Sequence, residues 1–145
     1  MVPDLAADPD IDLVVCSVRV DRHLQTVKPS IIAGKEVFVE WPLDRNLALA
    51  QEMTSLANTH NVKTIVGIQG SFSSVICMMK GVVESGRIGK VLSSSIIASM
   101  DNSGLTEVKN VRYFLDREAG GGVVNIHLGH SLEFITSGKL FYPNS

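Results

Sequence analysis

The chain has 145 residues, of which 45% are hydrophobic and 19% are charged, and its formal net charge is -2. This is ordinary globular composition, with enough chain for a buried core. The Lys and Arg residues are scattered and no apolar run reaches the ~18 residues of a membrane span, so neither nucleic acid nor a membrane is expected as a partner.

The cysteines and the first ten residues indicate the compartment. Cys16 and Cys77 lie in apolar surroundings without a CxxC motif, which is typical of free core thiols in a reducing compartment. Residues 1–10 contain three aspartates and no basic residue, so they do not have the pattern of a signal peptide. We therefore expect a cytoplasmic or nuclear protein.

The first 89 residues alternate between apolar runs of strand length and amphipathic helical segments. The predicted elements are a strand at 13–16, a helix that ends at Gly34, a strand at 37–40, a helix from Asn46 to Asn61, a strand at 64–68 and a helix from Ser73 or Ser74 to Gly86. Continuous apolar runs of this length are typical of strands that are buried on both faces of a parallel sheet. Pro29 either kinks the first of these helices or marks its first turn. The order of the elements predicts a parallel sheet with right-handed crossovers.

The pattern changes after Gly89. The segment Val91–Met100 alternates between apolar and small polar residues, which predicts a longer strand with one solvated face in an antiparallel or mixed sheet. The remaining predictions are a loop at 101–118, a helix at 119–137 and a strand-like tail at 140–143. We therefore predict an α/β fold with one domain over 1–89 and a second over 90–145.

Residues that could carry chemistry collect where the predicted strands end. In an open α/β sheet, ligands bind at the carboxyl ends of the strands. The candidates at these ends are Ser17, Val18, Arg19, His23, Glu40, Trp41, Pro42 and Gln69. The sequence contains no GxGxxG motif, so the part that would bind pyrophosphate at a helix N-terminus is missing.

Most of these residues also have a purely structural interpretation. His23 either lines a ligand pocket or is a capping or surface histidine, and Trp41 either stacks on a ligand or lies in the core. Glu40 either orients a ligand or is a solvated charge. His127 and Glu133 share a helix face with a further histidine, but a zinc site needs three or four ligands and there is no second Cys/His cluster. No metal site is predicted.

The order of several motifs resembles one enzyme family. The sequence DPDIDLVV is followed by a loop that ends in His23, and then by AGKEVFVEWPL, VGIQG, ESGRIGKV and GGG…GH. This combination resembles the Gfo/Idh/MocA oxidoreductases over nearly the whole chain. The resemblance implies that 1–89 is the C-terminal half of an NAD(P)-binding Rossmann domain. It implies that 90–145 begins an α/β domain with an open, mainly antiparallel sheet, and that the chain is truncated at both ends.

The resemblance also implies a cofactor site and a catalytic site. The edge residues Ser17, Val18, Arg19, His23, Glu40, Trp41, Pro42 and Gln69 would lie near the nicotinamide half of NAD or NADP, and His130 would be the remaining catalytic group. The family has a Lys where this chain has Trp41, and an Asp four residues before the His where this chain has Ile126. Because proton transfer needs a titratable group within reach of the substrate, these changes predict a degraded catalytic motif.

Three motifs are similar to a galactose-repressor-like branch of the family, in which NAD(P)-binding proteins act as regulators through protein contacts. They are Glu40-Trp41, Ile68-Gln69-Gly70 and Leu128-Gly129-His130. The resemblance thus implies a regulator or sensor whose partners are a dinucleotide and either a protein or a second copy. One alternative is an active NAD(P)-dependent sugar or polyol oxidoreductase that uses His130 alone. The other is a scaffold or truncated product without nucleotide affinity. The 145 residues by themselves are expected to bind NAD or NADP weakly or not at all.

Overall fold

The structure is a computed structural model that describes residues 2–93, 95–97, 113, 115–122 and 124–136. Its elements in chain order are α1 (Val2–Ala7), β1 (Leu13–Cys16), a 3-10 turn (Val20–Arg22), α2 (His23–Ile32), β2 (Glu36–Glu40), α3 (Leu47–Thr59), β3 (Thr64–Gly67), a second 3-10 turn (Gln69–Phe72), α4 (Ser74–Glu84), a π-helical turn (Val124–Leu128) and α5 (Gly129–Thr136). The alternation of strands and helices up to Glu84 confirms the predicted α/β class.

The three strands form one parallel sheet in the order β1-β2-β3. Val15 pairs with Phe38 in the register of β1 and β2, and Phe38 pairs with Ile65 in the register of β2 and β3. Since all three strands run in the same direction, their carboxyl ends meet at one edge of the sheet. This edge positions every predicted site residue that follows a strand.

One face of the sheet carries the core, because side chains alternate between the two faces of a strand. Val14 and Cys16 of β1 and Val37 and Val39 of β2 point to the same side and are buried. The helices α2 and α3 cover them with apolar side chains at helical spacing, namely Leu24, Val27, Ile31, Met53 and Ala57. These two helices and two strands therefore share one apolar core.

The other face of the sheet is open, which corrects the prediction of strands buried on both faces. Val15 is 62% exposed and Ile65 is 53% exposed, and Leu13 on the same face is also exposed. The helix α4 has no buried residue, and its apolar side chains Val75 and Met79 are exposed as well. The apolar runs therefore identified the strands correctly, but among the described residues nothing covers their second face.

Helix ends follow the predicted capping residues. The side chain of Asn46 accepts a hydrogen bond from the Leu49 amide at the start of α3, and the Ser73 hydroxyl accepts one from the Ile76 amide at the start of α4. Gly34, Gly86 and Asn61 follow their helices with positive φ, the left-handed conformation that ends helices. Pro29 lies inside α2, so the alternative of a first-turn proline is wrong.

The second half of the chain departs most from its prediction. Residues 91–93 and 95–97 have no regular structure, so this described part of the predicted strand is not a strand, and residues 94 and 98–100 lie outside the described residues. The last helix begins at 124 rather than 119, because Gly120 and Gly122 have φ values of 75 and 114, outside the helical region. The predicted tail at 140–143 and residues 101–112 of the predicted loop also lie outside the described residues.

The short helix α1 was missed. Its local signals are Pro3 and the acidic Asp4 in its first turn, both of which favour helix initiation. The division of the chain near residue 90 stays a prediction. Among the described residues, no helix combines the length and apolar character needed to cross a membrane.

Candidate functional site

The loop after β1 is open to solvent at the carboxyl edge. Ser17, Val18 and Arg19 are all exposed. The guanidinium of Arg19 forms a bidentate ion pair with the carboxylate of Asp21. The Cζ atom of Arg19 lies 6.0 Å from the centroid of the Tyr113 ring. The hydrogen bonds to Asp21 raise the pKa of Arg19, and the same bonds lower the pKa of Asp21. Arg19 is therefore a fully charged side chain whose charge is already paired.

The end of β2 presents Glu40, Trp41 and Pro42, all of them half-buried. The peptide bond between Trp41 and Pro42 is cis. The carboxylate of Glu40 lies over the backbone of Gly67 at the end of β3, where a Cβ atom would come within 2.9 Å of it. A glycine at this point lets the carboxylate lie across the edge of the sheet.

The indole of Trp41 is bound to the helical segment that ends the described chain. Its Nε1–H donates to the carbonyl oxygen of Asn125 at 2.8 Å. A Cβ on Gly129 would lie 2.3 Å from the indole Nε1, so the ring packs directly on the Gly129 backbone. Gly129 precedes His130, and Trp41 is therefore brought close to the residue predicted to be catalytic.

Two further contacts hold the same segment at the carboxyl edge. A Cβ on Gly120 would lie 2.3 Å from Cα of Arg45, which means that the two backbones touch. The hydroxyl of Ser71, in the turn after β3, donates to the Glu133 carboxylate of α5 at 3.1 Å. Local sequence patterns did not indicate the roles of Ser71 and Gly129, although a glycine inside a predicted helix signals a close backbone approach.

His23 is buried and does not line the edge. It is 1% exposed, with Nε2 2.9 Å from the carbonyl oxygen of Val18 and Nδ1 3.2 Å from that of Leu43. The neighbouring Asp44 is also buried, and its carboxylate accepts hydrogen bonds from the amides of Leu24 and Arg45. This geometry favours a structural role for His23 over a ligand pocket, but the predicted capping or surface position is wrong, because the ring is buried and contacts two backbone segments.

The remaining candidates are less constrained. Gln69 begins the turn after β3 and is exposed, and His130 lies in the first turn of α5 and is half-buried. Within the described residues, no hydrogen bond or ion pair orients the His130 ring. The same part of the chain contains no group of three or more His, Cys, Asp or Glu side chains placed to hold a metal ion.

A groove of about 430 Å³ lies beside Trp41. One wall is the segment that follows β2, from Trp41 to Leu47, and the other includes Val124, Leu128 and Leu132. Most of this lining is apolar. The groove is therefore a junction between the sheet edge and the last helix, rather than a polar pocket with convergent acid–base groups.

Two family models match the chain in succession. Residues 2–68 match the oxidoreductase family with an NAD-binding Rossmann fold, and residues 74–139 match the C-terminal domain of Gal80p. The boundary between the matches falls in the turn before α4.

Relatives of two kinds are similar to the chain. The dehydrogenase aclE of Aspergillus oryzae is 36% identical over 132 residues, which are 91% of this chain and 36% of that protein. The galactose/lactose metabolism regulatory protein GAL80 of Saccharomyces cerevisiae is 28% identical over 137 residues, which are 90% of this chain and 32% of that protein. The chain thus spans about a third of the length of these curated relatives.

Among solved structures, a super-repressor mutant of Gal80p from Saccharomyces cerevisiae superposes with a TM-score of 0.79 at 24% identity, covering 95% of this chain and 37% of the other. At this identity the likeness shows the fold alone, and the shared fold agrees with the Rossmann-type strands described above. The chain belongs to the Gfo/Idh/MocA oxidoreductase family, with relatives among both dehydrogenases and Gal80-like regulators.

Proposed function

We propose that a full-length polypeptide containing this chain binds NAD or NADP at the carboxyl edge of the sheet and works as a Gal80-like regulator rather than as a dehydrogenase. The observation that carries the proposal is the position of Trp41. Its indole N–H is bound to Asn125 and its ring rests on Gly129, where the family resemblance places a lysine. An indole cannot exchange a proton with a substrate hydroxyl.

The described residues fit the nicotinamide half of a dinucleotide. The exposed loop of Ser17, Val18 and Arg19 and the exposed Gln69 leave this edge accessible, and Glu40 lies across it over Gly67. Nothing in the sequence fits the pyrophosphate, because no glycine-rich turn follows a strand. When bound, the nicotinamide ring would supply the hydride chemistry, while this part of the protein would orient and shield it.

The state of His130 supports the regulator as well. In a working acid–base site, a second group such as a carboxylate orients the histidine and stabilises its charged form. Ile126 stands one helical turn before His130, where the resemblance places an aspartate, and no described residue holds the His130 ring. Among the described residues, His130 therefore lacks the partner that general acid–base catalysis uses.

The experiment is calorimetric titration of the full-length polypeptide with NAD and with NADP. Ser17→Trp would place an indole in the exposed loop and should weaken binding about tenfold or more, which is a loss of ~1.4 kcal/mol. Ser55→Trp, on the exposed side of α3, is the matched control and should bind as the unsubstituted protein does. Equal weakening by both substitutions, or no binding at all, would contradict the proposed site.

A second candidate function is an NAD(P)-dependent dehydrogenase. The specific observation in its favour is that identity to the dehydrogenase aclE is 36%, whereas identity to GAL80 is 28%, over nearly the same share of this chain. On this alternative His130 alone acts as acid and base. The regulator and the dehydrogenase would bind the same cofactor, but only the dehydrogenase would turn over a substrate. A turnover measurement therefore decides between them.

A further inference from the structure

We propose that His23 is a proton-dependent clasp between the loop after β1 and the segment after β2. When the ring carries two N–H groups, it donates a hydrogen bond to each of the two segments. When it carries one N–H group, it no longer donates to the Leu43 carbonyl oxygen. This clasp would stand whether or not the protein binds a dinucleotide, and only its effect on a cofactor rests on the proposed function.

The geometry gives His23 two partners of the same kind. Its Nε2 lies 2.9 Å from the Val18 carbonyl oxygen and its Nδ1 lies 3.2 Å from the Leu43 carbonyl oxygen. A carbonyl oxygen accepts hydrogen bonds and cannot donate them, and a neutral imidazole has one N–H. A neutral ring therefore satisfies one contact and leaves a nitrogen lone pair facing the other oxygen.

Because the ring is buried, an unmade hydrogen bond between His23 and a carbonyl oxygen costs free energy. His23 is 1% exposed, so water cannot easily replace a missing hydrogen bond. The Nε2 contact with Val18 is the shorter of the two, and we expect a neutral ring to keep its proton there. The Leu43 contact is then the one that opens.

Several charged or titratable groups lie on the two segments whose carbonyl oxygens contact the ring and on neighbouring parts of the chain. They are Cys16 on β1, Arg19 on the following loop, Asp21 and Arg22 on the 3-10 turn, Asp44 and Arg45 after β2, and Asp116 near Arg19. Asp21 is paired with Arg19, and burial raises the pKa of the Cys16 thiol, which therefore stays neutral. Asp44 is the buried carboxylate of this set, and both of its oxygens accept backbone N–H groups.

The clasp joins the two segments that carry the predicted cofactor contacts. Val18 belongs to the exposed loop after β1, and Leu43 follows Trp41 and Pro42 directly. Opening the Leu43 contact would loosen the turn after Trp41 and Pro42, which the Asp44 carboxylate also holds through the Leu24 amide. His23 is thus a positioning residue for the edge rather than a group that touches a ligand.

The test is an NMR measurement on the 145-residue chain labelled with 15N and 13C, over the range from about pH 5 to about pH 8 in which histidine changes charge. We expect both His23 nitrogens to be protonated at the acid end, and Nε2 alone at the alkaline end. The 13C shift of the Leu43 carbonyl should change with the same midpoint, while that of Val18 changes little. Magic-angle-spinning spectra of sedimented protein report the same nuclei if self-association broadens the solution lines.

Two controls separate the clasp from a general effect of pH. His60 ends α3 and is exposed, so His60→Gln should leave the Leu43 titration unchanged. In Asp44→Asn, the midpoint of the Leu43 change should move together with that of the His23 ring. A Leu43 carbonyl that does not respond to pH, or that responds without any change in the His23 nitrogens, would overturn the proposal.

Discussion

Trp41 packs directly on the backbone of Gly129 at the candidate site. Since an Ala Cβ at 129 would lie 2.3–2.6 Å from the indole, Gly129→Ala should cost about 1–3 kcal/mol of stability, the usual range for overpacking. In a Trp41→Ala background the same substitution should cost nothing or stabilise the helix. Urea unfolding of the four proteins gives the coupling energy.

Gly81→Ala is the matched control for that cycle. Gly81 lies inside α4 and a Cβ there would meet nothing within 4 Å, so this substitution should stabilise the helix by about 0.5–1 kcal/mol. Trp41 is the single tryptophan, so its fluorescence also reports whether the indole leaves Gly129. A Gly129→Ala protein as stable as the Gly81→Ala protein, with unchanged fluorescence, would show that the indole packs elsewhere.

The two cysteines should differ sharply in reactivity. Cys16 is buried in the core, and desolvation raises the pKa of its thiol, so at neutral pH it stays protonated and unreactive. Cys77 is exposed. A thiol reagent should therefore modify one cysteine in the folded chain and both in denaturant, and Cys77→Ser should remove the fast reaction. Equal rates for the two thiols without denaturant would mean that the described core is not formed.

At the scale of single elements, the best-defined helix start is that of α3. The Asn46 side chain accepts a hydrogen bond from the Leu49 amide at 3.0 Å. Asn46→Ala should lower the free energy of unfolding by about 1 kcal/mol, whereas Asn46→Asp should keep the cap and lose little. Thermal unfolding followed by circular dichroism measures both. A loss of the same size in both variants would indicate that the cap itself contributes nothing.

The elements predicted from sequence are those with local signals. Apolar runs identified the three strands found among the described residues, and Asn46, Gly34 and Gly86 marked helix ends, because caps and left-handed residues depend on nearby backbone. Burial of the second sheet face was wrong because a run of apolar residues does not say how many layers cover it. The late start of the last helix depended on backbone angles at glycines, which adopt many conformations.

The site was predicted less completely than the fold. The motifs placed Trp41 and His130 in one functional region, but the contact of the indole with Asn125 and Gly129 joins residues more than eighty positions apart. The spacing of apolar residues along the sequence carries no information on such long-range contacts. The burial of His23 between two carbonyl oxygens was equally out of reach, since it depends on where two loops lie relative to each other.

At the scale of the whole molecule, the open sheet face should make the 145-residue chain self-associate. Val15 and Ile65 are large, exposed and on the same face, and exposed apolar strands promote pairing between chains. In sedimentation velocity, the chain should form species larger than a monomer as concentration rises. Combined Val15→Thr and Ile65→Thr substitutions keep strand-forming residues and should shift the chain toward monomer.

Leu47→Thr is the control for that comparison, because Leu47 is exposed on α3 and not on the sheet. It should leave the association unchanged. An unsubstituted chain that stays monomeric at every concentration and unfolds in one cooperative transition would contradict this expectation.

On the proposed function, the site binds a dinucleotide but lacks the acid–base groups that dehydrogenation of a hydroxyl needs, and turnover tests this directly. The measurement is NAD(P)H formation by a full-length polypeptide across a panel of sugars and polyols, alongside Trp41→Lys with Ile126→Asp and His130→Ala. We predict no turnover above background in the unsubstituted protein and at most a trace in the double substitution, because acid–base help is worth ~10²–10⁴-fold. Turnover at a usual enzymatic rate of ~1–10³ s⁻¹, abolished by His130→Ala, would contradict the account and establish the dehydrogenase.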